Sequence, residues 1–188
     1  MAVFTKIEII QLAVLKVGKG VFSTIADMGK IGTAAELVYR FELDRLISSN
    51  DWRFCTAILP LSKLVATPTV SEWSYIYSLP ADYLALTRLH PHTTDFQIFE
   101  NKTLYSNTDG LYIEYRFKPD ESRFPAYFGE LLATIIAYHL ANTEAQNADL
   151  AVKLFNEITI ARNTAYFADS QSHPNTAIQS TRYISCRS

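Results

Sequence analysis

Cysteine is nearly absent from this chain: two residues in 188, Cys55 and Cys186, stand far apart with no Cys-x-x-Cys spacing. That excludes a disulfide framework and a cysteine zinc site, and both thiols are expected to be reduced. Charge is also scarce at 19%, and 17 Lys and Arg against 19 Asp and Glu leave a net charge of only −2. Proteins that wrap nucleic acid draw most of their affinity from cations that neutralise phosphates, so that class is excluded too. With 6 Gly and 7 Pro the composition is neither fibrous nor low-complexity. No long apolar run is present. The N-terminal one is interrupted by Lys6, Glu8, Gln11 and Lys16, which argues against a signal peptide or a membrane span and predicts a protein made and kept in the cytoplasm of the producing cell.

Aromatic residues, in contrast, are plentiful: 11 Tyr, 11 Phe and 2 Trp within a 48% hydrophobic composition. Large rings serve cores and subunit contacts alike. Thr5 and Glu8 form a capping-box pattern, followed by Ile7, Ile10, Val14 and Val17 at helical spacing until Gly18 and Gly20. A loop over 19–32 then leads to a second capping box, Thr33 and Glu36. Its helix is expected to run to about Ser49 with Ala34, Leu37, Val38 and Phe41 inward, extended by Leu46 and Ile47.

From Arg53 to Pro119 short runs rich in Ile, Tyr, Phe and Thr alternate with turn residues, the texture of strands. Strands are predicted near 54–59, 74–78, 84–89, 96–99, 103–106 and 111–117, with hairpins at Asn101-Lys102 and at Asn107 to Gly110, giving an antiparallel sheet or small barrel. Helical spacing returns after Pro125 with Tyr127, Leu131, Ile135 and Tyr138, widened by Leu132, Ile136 and Leu140, to about Asn142. A fourth helix starts at Asn147 and Asp149 and carries Ala151, Leu154, Phe155, Ile158, Ala161 and Ala165 to about Phe167. The last stretch has few apolar anchors and reads as an extended tail that gains order on a partner. The fold class is therefore α+β. A four-helix bundle from 1–52 and 119–169 carries a small antiparallel β insertion over 53–118 and a C-terminal tail over 170–188.

Catalytic motifs are missing. Gly29-Lys30 lacks the spacing of a phosphate-binding loop, and there is no Gly-x-Gly-x-x-Gly, Gly-x-Ser-x-Gly or His-Glu-x-x-His. His90, His92 and Asp95 are the one cluster resembling a metal site, and Pro91 between the histidines reads instead as a polar turn. They remain a remote alternative, as a metal- or small-molecule-binding domain. His139 reads as a packed or solvent-facing histidine, and Asp82, Asp120 and Glu121 as acids that cap element ends. No cofactor is called for, and no enzymatic activity is expected.

Taken in order, several features resemble the head-to-tail adaptor (connector) family of tailed phages, which includes tail tubular protein A of short-tailed phages. They are a first helix ending at Gly18, a second helix with Ala34, Ala35, Tyr39, Arg40 and Arg45, and Asn50-Asp51-Trp52-Arg53-Phe54. Trp73-Ser74-Tyr75-Ile76-Tyr77 and Leu79-Pro80-Ala81-Asp82-Tyr83-Leu84 follow, then two closing helices and a tail. Trp52, Phe54, Trp73, Pro80, Asp82 and Tyr83 are the core hallmarks of the resemblance. It implies a virion protein, assembled in the host cytoplasm, that forms a homo-oligomeric ring of twelve copies under the portal protein. Such a ring extends the DNA channel without sequence-specific contact and offers a platform to a tail or nozzle protein. By the same resemblance Arg182, Tyr183, Ile184 and Arg187 are portal-binding candidates, while Asn101, Lys102, Asn107 and Asp109 are tail-facing candidates. A head-completion or neck protein of a long-tailed phage is the alternative within this class.

Overall fold

A computed structural model describes residues 4–66, 68, 72–100, 102–143 and 147–171. Among them are four helices, α1 (Lys6–Lys16), α2 (Lys30–Ser49), α3 (Ala126–Thr143) and α4 (Ala148–Ser170). Between α2 and α3 lie seven strands, β1 (Thr56–Pro60), β2 (Ser62–Lys63), β3 (Tyr75–Ser78), β4 (Tyr83–His90), β5 (Phe96–Phe99), β6 (Thr103–Ser106) and β7 (Tyr112–Phe117). The predicted α+β class is the one observed.

The first helix starts as its sequence dictates. The Glu8 amide donates to Thr5 Oγ1 while the Thr5 amide donates to Glu8 Oε2 at 2.7 Å, and the Thr5 hydroxyl first, then the Thr5 amide, donating to the Glu8 carboxylate hold that carboxyl below its usual range. It stops at Gly18, whose φ of +81° a residue with a Cβ adopts only under strain.

The second helix departs from expectation at both its start and its face. It begins at Lys30, because the reciprocal side-chain pair forms earlier, between Thr24 and Asp27, and closes a 310 turn over Ala26–Met28. The predicted Thr33–Glu36 box does not form: the Thr33 hydroxyl donates to the Gly29 carbonyl, and Glu36 is taken by Lys6 of α1. The turn is compact enough that a Cβ on Gly32 would overlap the Ile25 carbonyl oxygen. Ala35, Tyr39, Leu43, Leu46 and Ile47 face inward, whereas Leu37 and Phe41, assigned to the core by spacing, are 56% and 70% exposed.

The third helix was expected to bury one stripe, yet it is buried almost all round, from Phe128 and Gly129 through Ala141. Packing accounts for this, since α3 contacts α1, α2 and α4. All four helices share one hydrophobic core, which also takes in Trp52, Cys55 and Phe124. That core thus extends past residue 52 to Cys55, where Arg53–Cys55 forms a 310 turn instead of the predicted strand start.

The strands make two antiparallel sheets, in the orders β1-β7-β4 and β2-β3-β6-β5. A second hydrophobic cluster, including Leu61, Tyr77, Leu104, Leu111, Ile113 and Tyr115, joins them. The predicted β5–β6 hairpin is present, with Phe99 opposite Thr103. The predicted hairpin at Asn107 to Gly110 is not: β6 pairs with β3 and β5 and β7 with β1 and β4, so this loop carries the chain from one sheet to the other. Sequence reading also missed the two-residue β2.

Candidate assembly surfaces and the joint beneath them

Helices and sheets meet where α2 ends, and the joint depends on a few buried polar groups. Trp52 is fully buried, its Nε1 donating to the Leu46 carbonyl at 2.8 Å. Its ring lies among Phe54, Tyr127, Phe128 and Tyr166 at centroid distances of 5.3–6.4 Å. The half-buried Phe54 reaches Phe128 at 4.7 Å. Trp52 thus belongs to the helical core and Phe54 packs against it.

Two further charged residues, which the sequence did not single out, fix the joint. Arg116 of β7, only 9% exposed, donates through Nη1 to the carbonyls of Ser48 and Asn50, each at 2.8 Å, with the Ile47 carbonyl at 3.5 Å. The end of a helix leaves carbonyls without partners and carries partial negative charge, so a guanidinium there supplies both donors and a favourable field. Asp169, 4% exposed near the end of α4, accepts from the Arg53 amide at 3.1 Å and from the Tyr127 hydroxyl at 2.8 Å. Burial, then the Asp169 contact, pushes the Tyr127 hydroxyl well above its usual range. Alternation along β7 puts Arg116 on the face opposite Ile113 and Tyr115, which from sequence looks like solvent. Only the docking of that face on α2 gives the residue its role.

The remaining hallmark residues lie at the surface or half-buried. Trp73, Pro80 and Tyr83 are half-buried, and Tyr83 stacks on Tyr115 at 6.2 Å. Asp82 corrects the expectation of a core position and of a cap: it is exposed and accepts from the Tyr115 hydroxyl at 2.9 Å. Burial first, then Asp82, raises the Tyr115 hydroxyl to about 12. Glu121 likewise caps nothing and accepts from the Tyr39 hydroxyl at 2.7 Å, while the Asp120 side chain makes no capping bond.

Among the tail-facing candidates, Lys102 is exposed on the β5–β6 turn, and its carbonyl accepts from the Leu79 amide. Asn107 and Asp109 belong instead to the inter-sheet crossing. Asn107 Oδ1 accepts from the Ser74 amide at 2.9 Å and Asp109 pairs with Lys63 at 3.3 Å, so both hold the loop in shape. Asn101, Arg182, Tyr183, Ile184 and Arg187 lie outside the described residues. Residue 170, placed in the predicted tail, is the last of α4.

No metal site assembles from the histidine cluster. The His90 and His92 rings lie 4.6 Å apart and His90 Nε2 is 3.6 Å from Glu114, but no group of three potential ligands able to hold an ion occurs among the described residues. His139 is packed, its Nε2 lying 3.2 Å from Glu42 Oε1, and Glu42 also binds Arg45. Cys55 is buried, and burial raises its thiol to about 12, far from a nucleophile's range.

What the surface does offer is apolar helix face. Besides Leu37 and Phe41, α4 exposes Val152 (63%), Phe155 (58%), Ile160 (68%) and Phe167 (67%). Phe155, expected in the core stripe with Ala151, Leu154 and Ile158, instead borders a cleft of about 400 Å3 lined by Tyr138, Asn142, Ala148, Ala151, Val152 and Phe155. No helix among the described residues is long and apolar enough to cross a membrane. Comparison of the chain with protein-family models and with curated proteins gives no match.

Proposed function

We propose that this chain is a virion structural protein, a head-to-tail adaptor that assembles as a ring under the portal and serves as the platform for a tail or nozzle protein. The observation that carries the reading is the outward apolar surface of α2 and α4. Large exposed apolar groups on a well-packed chain are characteristic of interaction surfaces, and here they sit on long helices, the elements suited to a ring wall. In this reading the four helices act as one bundle, the strands between α2 and α3 form the inserted β module, and residues beyond 171 are the portal-reaching tail. The near-neutral charge suits a channel that lets DNA pass without gripping it.

The test is co-sedimentation of the full chain, and of a chain ending at Gln171, with purified portal. The full chain is expected to bind and the shortened one to bind at least tenfold more weakly while its far-ultraviolet circular dichroism per helical residue is retained. Equal binding by both would remove the tail from the portal contact, and binding by neither would remove the adaptor reading.

A further inference from the structure

Two positive charges converge on one pocket, and only one of them has a partner. Helices α2 and α4 both pack on α3, and between them lies a pocket of about 200 Å3. Glu42, Arg45, Leu46 and Ser49 of α2 and Arg162 and Tyr166 of α4 line it. The α2 residues recur at helical spacing and the α4 pair stands one turn apart, so each set occupies one side of its helix. The acid among them, Glu42, is buried and fully engaged: its Oε2 accepts from Arg45 Nε at 2.8 Å, and its Oε1 lies 3.2 Å from His139 Nε2. Arg162 is exposed and forms no ion pair among the described residues.

Two guanidinium groups that face one small pocket repel each other, and an anion between them replaces that repulsion with two attractions. Each planar fork presents paired donors that match the oxygens of a phosphate. We infer that this pocket binds a phosphate group, held by Arg45 from α2 and Arg162 from α4. Phosphate suits it better than a carboxylate. A terminal phosphate carries a charge of roughly −1.5 to −2 at pH 7 and offers three acceptor oxygens, enough for both arginines and the Tyr166 hydroxyl. A carboxylate brings one charge and two oxygens. The site lies within one copy, so it stands whether or not a ring forms. An anion held by both walls ties α4 to α2, and it stabilises the folded chain as its concentration rises.

Inorganic phosphate titrated into the full chain at constant ionic strength, followed by calorimetry, tests the site. Saturable one-to-one binding is expected, together with a melting temperature that rises with phosphate. Arg162→Gln removes the donor that has no other partner, so it should keep the circular dichroism spectrum and weaken binding roughly tenfold or more. Arg88→Gln removes an exposed arginine on β4 and should leave binding unchanged. Equal loss in both variants would overturn the site in favour of general surface charge. Acetate should bind more weakly than phosphate, and equal binding would overturn the choice of ligand. A short DNA duplex that binds through Arg162 when inorganic phosphate does not would overturn it too, since the anion would then be a nucleic-acid backbone. Phosphate binding only by a chain ending at Gln171 would show that the chain's own C-terminal carboxylate fills the pocket. No saturable binding by either chain, or binding that Arg162→Gln leaves intact, overturns the inference outright.

Discussion

Replacing Arg116 with methionine keeps the aliphatic bulk of the side chain and removes its guanidinium from the end of α2. The carbonyls of Ser48 and Asn50 then each lose a 2.8 Å bond to a charged donor. Such bonds contribute roughly 1.5–3 kcal/mol each, and because the side chain is only 11% exposed water replaces them poorly. Part of this gain is offset by the desolvation cost of burying the charge, a cost that the substitution also removes. The expected loss is therefore about 2–4 kcal/mol, a large share of the roughly 5–15 kcal/mol that stabilises an ordinary domain. Urea unfolding followed by circular dichroism and by tryptophan fluorescence measures it. The midpoint should fall while the slope with denaturant stays constant, as expected when stability alone changes. Arg116→Lys should recover part of the loss, since one ammonium cannot match the planar fork of the guanidinium. A loss below about 0.5 kcal/mol, within the range of ordinary surface substitutions, would refute the helix-end role of Arg116.

Asp169→Ala strips the Arg53 amide and the Tyr127 hydroxyl of their acceptor, so stability should fall by about 2–4 kcal/mol and the melting temperature by roughly 4–16 °C for a chain of this size. Adding Tyr127→Phe to that variant should cost little more, because the two residues share one interaction; full additivity would count against the contact. For Cys55 the folded thiol at about 12 lies above its ordinary value of 9.0. The stability tied to this neutral thiol is present below pH 9 and is lost as pH rises through 9 to 12, and Tyr115, also raised to about 12, adds a loss above its ordinary 10.0. Unfolding midpoints should accordingly decline above pH 9, less so in Cys55→Ala once its lower baseline is subtracted. In a Cys186→Ser chain at pH 8, a thiol reagent should label Cys55 only on unfolding.

Local chemistry was legible in the sequence wherever one segment decides its own structure. The Thr5–Glu8 box, the stop at Gly18, strands β5 and β6 with their turn, and the Asn147 cap all follow from neighbouring residues. Periodicity failed where tertiary contacts choose among several apolar sides. On α2, spacing offers Leu37 and Phe41 as readily as Tyr39 and Leu43, and only the position of α3 selects the latter. On α3 apolar residues occur all round, so the stripe that spacing picks out is only part of the buried surface. Asn107 to Gly110 has turn composition in either case, and sequence cannot tell a hairpin from a crossing between sheets. Arg116 and Asp169 escaped notice because their partners, backbone groups and the Tyr127 hydroxyl, lie far along the chain, which no motif announces. The exposed surfaces were hidden for a related reason: Leu37, Phe41 and Phe155, expected inside, turned out to be exposed.

The adaptor reading is tested most directly by imaging the full chain bound to its portal. A closed ring of twelve copies around the channel is the predicted result. A chain that stays monomeric and never decorates the portal would contradict it.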